Sequence, residues 1–205
     1  MYALVTDGSI AKYLSGKRGI TIGDIQYARD IFSKWTEVQR NAIGIYEVIQ
    51  NNAKKKDEEY YINTDQTFTY DADAGTVTAT YGDATAKAHA DANATDADGN
   101  DLDPVIVIEG LKTIRIRSVK QQAASILQNT DWYIVRKADA GTSVPSAITT
   151  FRAAVRTKAA AMETLITNAS NTPAIETLYT YVNTADEGDP VVMERPLGEF
   201  PVLGS

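Results

Sequence analysis

Apolar and polar positions alternate at the start of the chain, then shift to a longer period. Residues 2–6 and 9–14 are β-prone runs on either side of Asp7-Gly8. An Asp-Gly pair suits a two-residue turn whose central residues both take positive φ, so the pattern predicts a β-hairpin. From Asp24 onward, Ile25, Ala28, Ile31, Phe32 and Trp35 recur at intervals of three and four, with Asp24 placed to cap the first turn. That spacing predicts an amphipathic helix. Thr36 is set to cap a second short helical turn through Ala42, and Gly44 to stop it. Ile45, Tyr46, Val48 and Ile49 then read as a strand that closes a first unit near Asn51.

Residues 66–70 and 76–81 are rich in Thr and aromatic side chains, and Asp71 to Gly75 supply the turn of a second hairpin. Residues 82–104 hold mostly Ala, Asp, Asn and Gly, too little apolar surface to offset the entropy of ordering. A surface loop is expected there, with a short helix around residues 85–92, followed by a brief strand at 105–108. Residues 112–127 predict a helix with one buried face. The run Trp132, Tyr133, Ile134 and Val135 breaks its pattern and is expected to pack on the helices either side. Ile148, Phe151, Val155, Met162, Leu165 and Ile166 keep helical spacing over about five turns. Thr172-Pro173 opens a further helix with Thr at the cap and Pro at the first helical position, carrying Ile175, Leu178, Tyr179 and Val182 on one stripe. Residues 186–205 hold three prolines and are expected to run as an extended tail.

The expected fold class is therefore α+β, in four stretches. These are a small hairpin-plus-helix unit at 1–51, a linker with β-hairpin and Asp/Ala-rich loop at 52–108, an antiparallel helical unit at 109–185, and the tail at 186–205. No repeat of 20 to 50 residues is evident, which argues against a solenoid.

Composition narrows the classes of function. Of the 205 residues 43% are hydrophobic and 23% charged, enough to build a buried core. The formal net charge is -7, the wrong sign for attracting a phosphate backbone or an anionic bilayer, so neither nucleic acid nor membrane is an expected partner. Met1 to Tyr13 lack a basic region followed by a long apolar run, and no window approaches the ~20 apolar residues of a span. With no Cys, disulfides, thiolate metal sites and cysteine nucleophiles are excluded by inventory.

Catalytic patterns find little purchase. The single histidine, His89, has neither a Ser-rich elbow nor a second histidine beside it and reads as a surface residue. Asp96, Asp98 and Asn100 have the one-three-five spacing of a calcium loop. Asp101 then stands where that loop needs Gly and Val107 where it needs Glu, so a polar turn is expected. Gly16, Gly19 and Gly23 match no nucleotide-binding spacing. Lys54-Lys55-Lys56 followed by Asp57-Glu58-Glu59 reads as a solvated connection. Arg152, Arg156 and Lys158 fall on the polar side of their predicted helix. With Arg136 and Lys137 they form a candidate basic patch whose simpler reading is a solvated face. No metal, cofactor or catalytic residue is expected.

Thr130-Asp131-Trp132, followed by Arg136, Gly141, Pro145, Phe151-Arg152 and Val155-Arg156, resembles the carboxy-terminal segment of bacteriophage tail-fibre assembly proteins and related tail chaperones. That segment has a basic helix, a Thr-Asp-Trp turn and a helix reading aromatic-Arg-x-x-hydrophobic-Arg. The match covers residues 112–158, with Ser125 to Asn129 where the family has a Leu-Leu pair. A shorter likeness to phage-encoded proteins runs from Trp35 to Val48. The resemblance implies a non-enzymatic viral protein that serves virion assembly in the host cytoplasm, or stays in the virion, by binding other phage proteins or copies of itself. Trp132, Arg136, Arg152 and Arg156 are the candidate partner-binding residues. Trp132 is expected to pin two helices by burying ~200 Å² of indole, which predicts a loss of about 3 kcal/mol or more for Trp132→Ala. The long amino-terminal half, the Asp-rich loop and the Pro-containing tail depart from the short assembly proteins and favour a permanent structural or adaptor subunit as the alternative. An unrecognised hydrolase built on scattered carboxylates is the minor one.

Overall fold

Asp7 and Gly8 both take positive φ, 50° and 74°, and join β1 (Tyr2–Thr6) to β2 (Ser9–Leu14) as the turn chemistry dictates. A second turn overrides the helix expected from Asp24. Gly23 lies at φ 57° and, with Asp24, closes a hairpin of β3 (Ile20–Ile22) and β4 (Ile25–Tyr27) in which Ile22 faces Ile25. The competing signal is the period-two placement of Ile20 and Ile22, which pack with Tyr27 into one apolar cluster. Only α1 (Ile31–Lys34) remains of the expected helix. Thr36 caps α2 (Glu37–Asn41) in a reciprocal box with Gln39, as its sequence predicts.

Next come β5 (Ile45–Asn51), the short β6 (Tyr61–Ile62), β7 (Gln66–Asp71) and β8 (Thr76–Tyr81). The second hairpin, β7–β8, does not stand apart from the first unit. Its strand β8 pairs in parallel with β5, giving a five-stranded sheet in the order β2-β1-β5-β8-β7. The boundary expected at Asn51 therefore moves to Thr85. This computed structural model describes residues 1–204, and it falls into two compact units, Met1–Thr85 and a second beginning at Ala86. The sheet curls until its edge strands approach, with the rings of Tyr13 (β2) and Phe68 (β7) 4.6 Å apart. Ala3, Val48, Val77 and Ala79 form the apolar cluster of one face, while Leu14, Ile20, Ile31 and Ile45 form another.

After β9 (Thr85–Ala86), the second unit opens with residues expected to form a loop carrying a short helix. They instead dock, with β10 (Ala92–Asn93) pairing β11 (Val107–Ile108) ahead of α3 (Leu111–Gln128). The free amides at the start of α3 explain the order. Leu111 and Lys112 donate to the carbonyls of Ala88 and His89, and Gly110 donates to the Asp91 carboxylate at 2.7 Å. A side chain at residue 110 would collide with the Ala90 backbone at 2.3 Å, so glycine is required there. Hydrogen bonds from Gly110 and Thr113 hold the Asp91 carboxyl below its ordinary pKa.

The run from Asp131 is not a short irregular packing segment but a helix, α4 (Asp131–Ala140), ended by Gly141 at φ 70°. It is followed by α5 (Ser146–Asn168) and α6 (Thr172–Tyr179). Asn171, rather than Thr172, caps α6, and the buried Thr172 hydroxyl donates to the Lys87 carbonyl. Helices α3 and α5 run antiparallel, since Lys112 reaches the Thr167 carbonyl while Arg152 reaches that of Leu127. Between them Val119, Ala123, Val155, Ala159, Met162 and Ile166 form the core. Each larger member contributes roughly 1.5–3 kcal/mol of burial.

The tail is not extended. Hairpin β12 (Val182–Asn183) with β13 (Met193–Glu194) turns it back, and Leu197, 2% exposed, enters the core between the helices. The Leu197 amide donates to the Leu178 carbonyl. Tyr181 and Arg195 both bind the Glu199 carboxylate. Burial works to raise its pKa, but these hydrogen bonds and the Arg195 charge bring it net below the usual range. Prolines limit regular hydrogen bonding in this stretch without preventing apolar anchors such as Leu197 from docking.

Candidate functional site: the corner between α3, α4 and α5

Asn129 and Thr130 turn the chain from α3 into α4. Thr130 is 2% exposed, and its hydroxyl donates to the Leu127 carbonyl at 2.9 Å while accepting from Arg152 Nη1 at 2.6 Å. The same nitrogen lies 2.9 Å from the Leu127 carbonyl and 2.8 Å from Asp131 Oδ1. One guanidinium on α5 therefore ties together the end of α3, the turn and the first residue of α4. Asp131 is half exposed, so its ion pair is screened, and the buried hydrogen bonds carry most of the interaction.

This geometry corrects two expectations. Arg152 does not lie on a solvated face; at 8% exposure it is buried, and its Nε has no acceptor among the described residues. Trp132 is not the pin between helices, because it is 51% exposed. An indole at the second position of α4 points away once Thr130 has turned inward, so burial falls to the smaller, hydrogen-bonding residue. The Trp132 ring instead lies on Tyr133, with centroids 3.8 Å apart, and the Arg136 guanidinium sits 4.8 Å from it one turn on.

Helix α4 buries no residue, and Ile134 and Val135 are exposed beside Trp132. Arg156 is exposed on α5 and makes no hydrogen bond or ion pair among the described residues. Lys158 turns toward the tail, its Nζ lying where a Gly198 side chain would go. The basic patch is therefore divided, with Arg152 inside, Arg136 on the aromatic pair and Lys158 against the tail. Next to the corner, Phe151 lines two cavities of about 360 and 450 Å³ that share Pro201, Val202 and Leu203 of the tail. The first is walled on its other side by Ile126 and Thr130.

Sequence reasoning missed Thr130 as an anchor. Its signal was the place of Arg152 within the apolar stripe of α5, since a cation four residues after Ile148 and three before Val155 must find acceptors inside.

The other candidates are absorbed into structure. Asp96 accepts the amides of Asp98 and Asn100, which lower its pKa, and so organises a polar turn. Among the described residues no group of three or more His, Asp or Glu side chains is placed to hold a metal ion. No described helix is long and apolar enough to cross a membrane. No protein-family model matches the chain, and no match to it is found among curated proteins or solved structures.

Proposed function

We propose that this protein acts without chemistry of its own, by binding other proteins during bacteriophage tail or tail-fibre assembly. The observation that carries the reading is α4. Its base is fixed by the Arg152–Thr130 hydrogen bond, while its length leaves Trp132, Ile134 and Val135 uncovered. A rigid helix with an exposed aromatic, aliphatic and arginine surface has the composition of a binding hot spot. Large exposed apolar groups on a fixed element are more costly than a polar face would be, and a partner that covers them removes that cost. The phage context rests on the resemblance of residues 112–158. Two of its members, Thr130 and Asp131, meet a third, Arg152, in one hydrogen-bonded corner.

An assembly chaperone is preferred to a permanent virion subunit, because the stretch that suggested an extended arm is anchored by Leu197 in its own core. The test has two parts. Co-expression with the tail-fibre protein should raise the yield of assembled fibre, and Trp132→Asp with Val135→Asp should abolish that gain while leaving the fold intact. Mass spectrometry of purified particles should find the protein missing. Its presence at fixed copy number would establish the structural alternative, and fibre yield indifferent to both substitutions would end the α4 reading.

A further inference from the structure

The loop joining β2 to β3, Ser15-Gly16-Lys17-Arg18-Gly19, matches no glycine-rich nucleotide fingerprint, yet it borders a cavity of about 370 Å³. Lys12 and Arg18 line that cavity together with the hydroxyl-bearing Ser15 and Thr21. We propose that this cavity binds a phosphate group, a role separate from the protein-binding surface of α4 and carried by a different unit.

Three observations support it. First, Lys12 and Arg18 form no ion pair among the described residues, although the chain as a whole carries a net charge of -7. Asp30 engages Lys34 and Asp83 engages Lys54, whereas no carboxylate among the described residues engages either cation lining this cavity. Two cations left facing one cavity in an acidic protein create a local field of the opposite sign to the molecule's. Second, the loop leaves backbone donors free. The Lys17 amide reaches the Ser15 hydroxyl, while those of Gly16, Arg18 and Gly19 reach no backbone carbonyl among the described residues. Adjacent amides without an acceptor among the described residues, here those of Arg18 and Gly19, are available to an anion at the cavity. Third, the loop is held in shape. Gly16 sits at φ 70°, where an added Cβ would meet the Tyr2 ring at 3.0 Å, and a side chain at Gly19 would lie 2.5 Å from the Tyr27 carbonyl. The donors are therefore set by backbone that cannot readily relax, which lowers the ordering cost of binding.

The donor set selects the class of anion. Two cationic side chains, two hydroxyls and free amides exceed what one carboxylate, with a single charge and two oxygens, can engage. A phosphate dianion has three terminal oxygens and close to two charges, which matches the two cations. Its volume of about 370 Å³ accommodates one phosphate with a short polyol attached.

The experiment follows backbone amide resonances of the full chain by NMR at constant ionic strength, during titration with inorganic phosphate and, separately, with glycerol phosphate. Saturable shifts confined to residues near 12–21 are expected in at least one titration. Tighter binding of glycerol phosphate would assign the site to a phosphate ester, and equal or tighter binding of inorganic phosphate would assign it to the free ion. Lys12→Gln with Arg18→Gln, both on exposed side chains, should weaken binding by roughly tenfold or more, whereas Lys17→Gln should change it less than about twofold. Linear, non-saturating shifts, equal shifts with sodium acetate, or binding unchanged in the double variant would each overturn the proposal. Those results would leave the α4 reading untouched, since it is measured by fibre assembly.

Discussion

Helices α4 and α5 follow one another in the chain and both carry large apolar side chains, yet α5 buries six positions and α4 buries none. In α5 the buried set, Ile148, Arg152, Val155, Ala159, Met162 and Ile166, repeats every three or four residues and forms one stripe that α3 and the tail cover. In α4 the apolar residues Trp132, Tyr133, Ile134 and Val135 are consecutive, so they spread around the helix and form no stripe that the chain's own helices bury. Periodicity, rather than hydrophobic content, decides which helix is core. The helix that lacks it keeps its apolar groups available to something else.

That contrast breaks most readily on the α5 side. Ile166→Ala, at a fully buried position, should cost about 3–4 kcal/mol, read as a lower urea midpoint for the second unit. Leu197→Ala should cost somewhat less, about 3 kcal/mol, and speed proteolysis beyond Arg195; an unchanged digestion pattern would mean the tail is not held by that contact. Arg152→Ala should follow at about 2 kcal/mol, because Thr130 and the Leu127 carbonyl lose a charged donor. Arg152→Lys should recover part of it, since the three contacts converge on a single nitrogen, which an ammonium supplies from a side chain one atom shorter.

On the α4 side, Trp132→Ala should cost under about 1 kcal/mol of stability, as for surface positions, while reducing partner binding by roughly tenfold or more. A large drop in the unfolding midpoint would restore the pinning role that its exposure denies. The smallest effect belongs to Asp91→Asn. Because the Asp91 carboxyl has its pKa lowered in the folded protein, its contribution is present above the unfolded value of about 3.9 and is lost as pH falls through the folded one. The substitution should lower stability slightly near neutrality and flatten the acid limb of a stability-pH profile, so that the two profiles converge at low pH.

Much of the first unit was legible from local chemistry. Asp7-Gly8, the Thr36 box with Gln39, and the turn from Asp71, whose carboxylate accepts the amides of Asp73 and Ala74, each act within a few residues. The Gly23-Asp24 hairpin was masked because Ile25, Ala28 and Ile31 also satisfy a helical spacing, and the turn preference won. At the candidate site, the residues Thr130, Asp131, Trp132 and Arg152 could be singled out in the sequence, but their roles were interchanged. Bulk argued for burying the indole, whereas hydrogen-bond demand buried the guanidinium with the threonine.

Sequence alone thus determined the α+β class, the turns at Asp7-Gly8 and Asp71 to Gly75, and the helices α3, α5 and α6, because these depend on residue spacing and on groups that satisfy their own neighbours. Tertiary structure decided the rest: the parallel pairing of β5 with β8, the docking of residues 87–91 on the first turn of α3, and the return of Leu197 to the core. Each joins segments far apart in the chain, and each is selected by whichever distant partner supplies a missing acceptor or covers an apolar face. No window of local sequence contains that information.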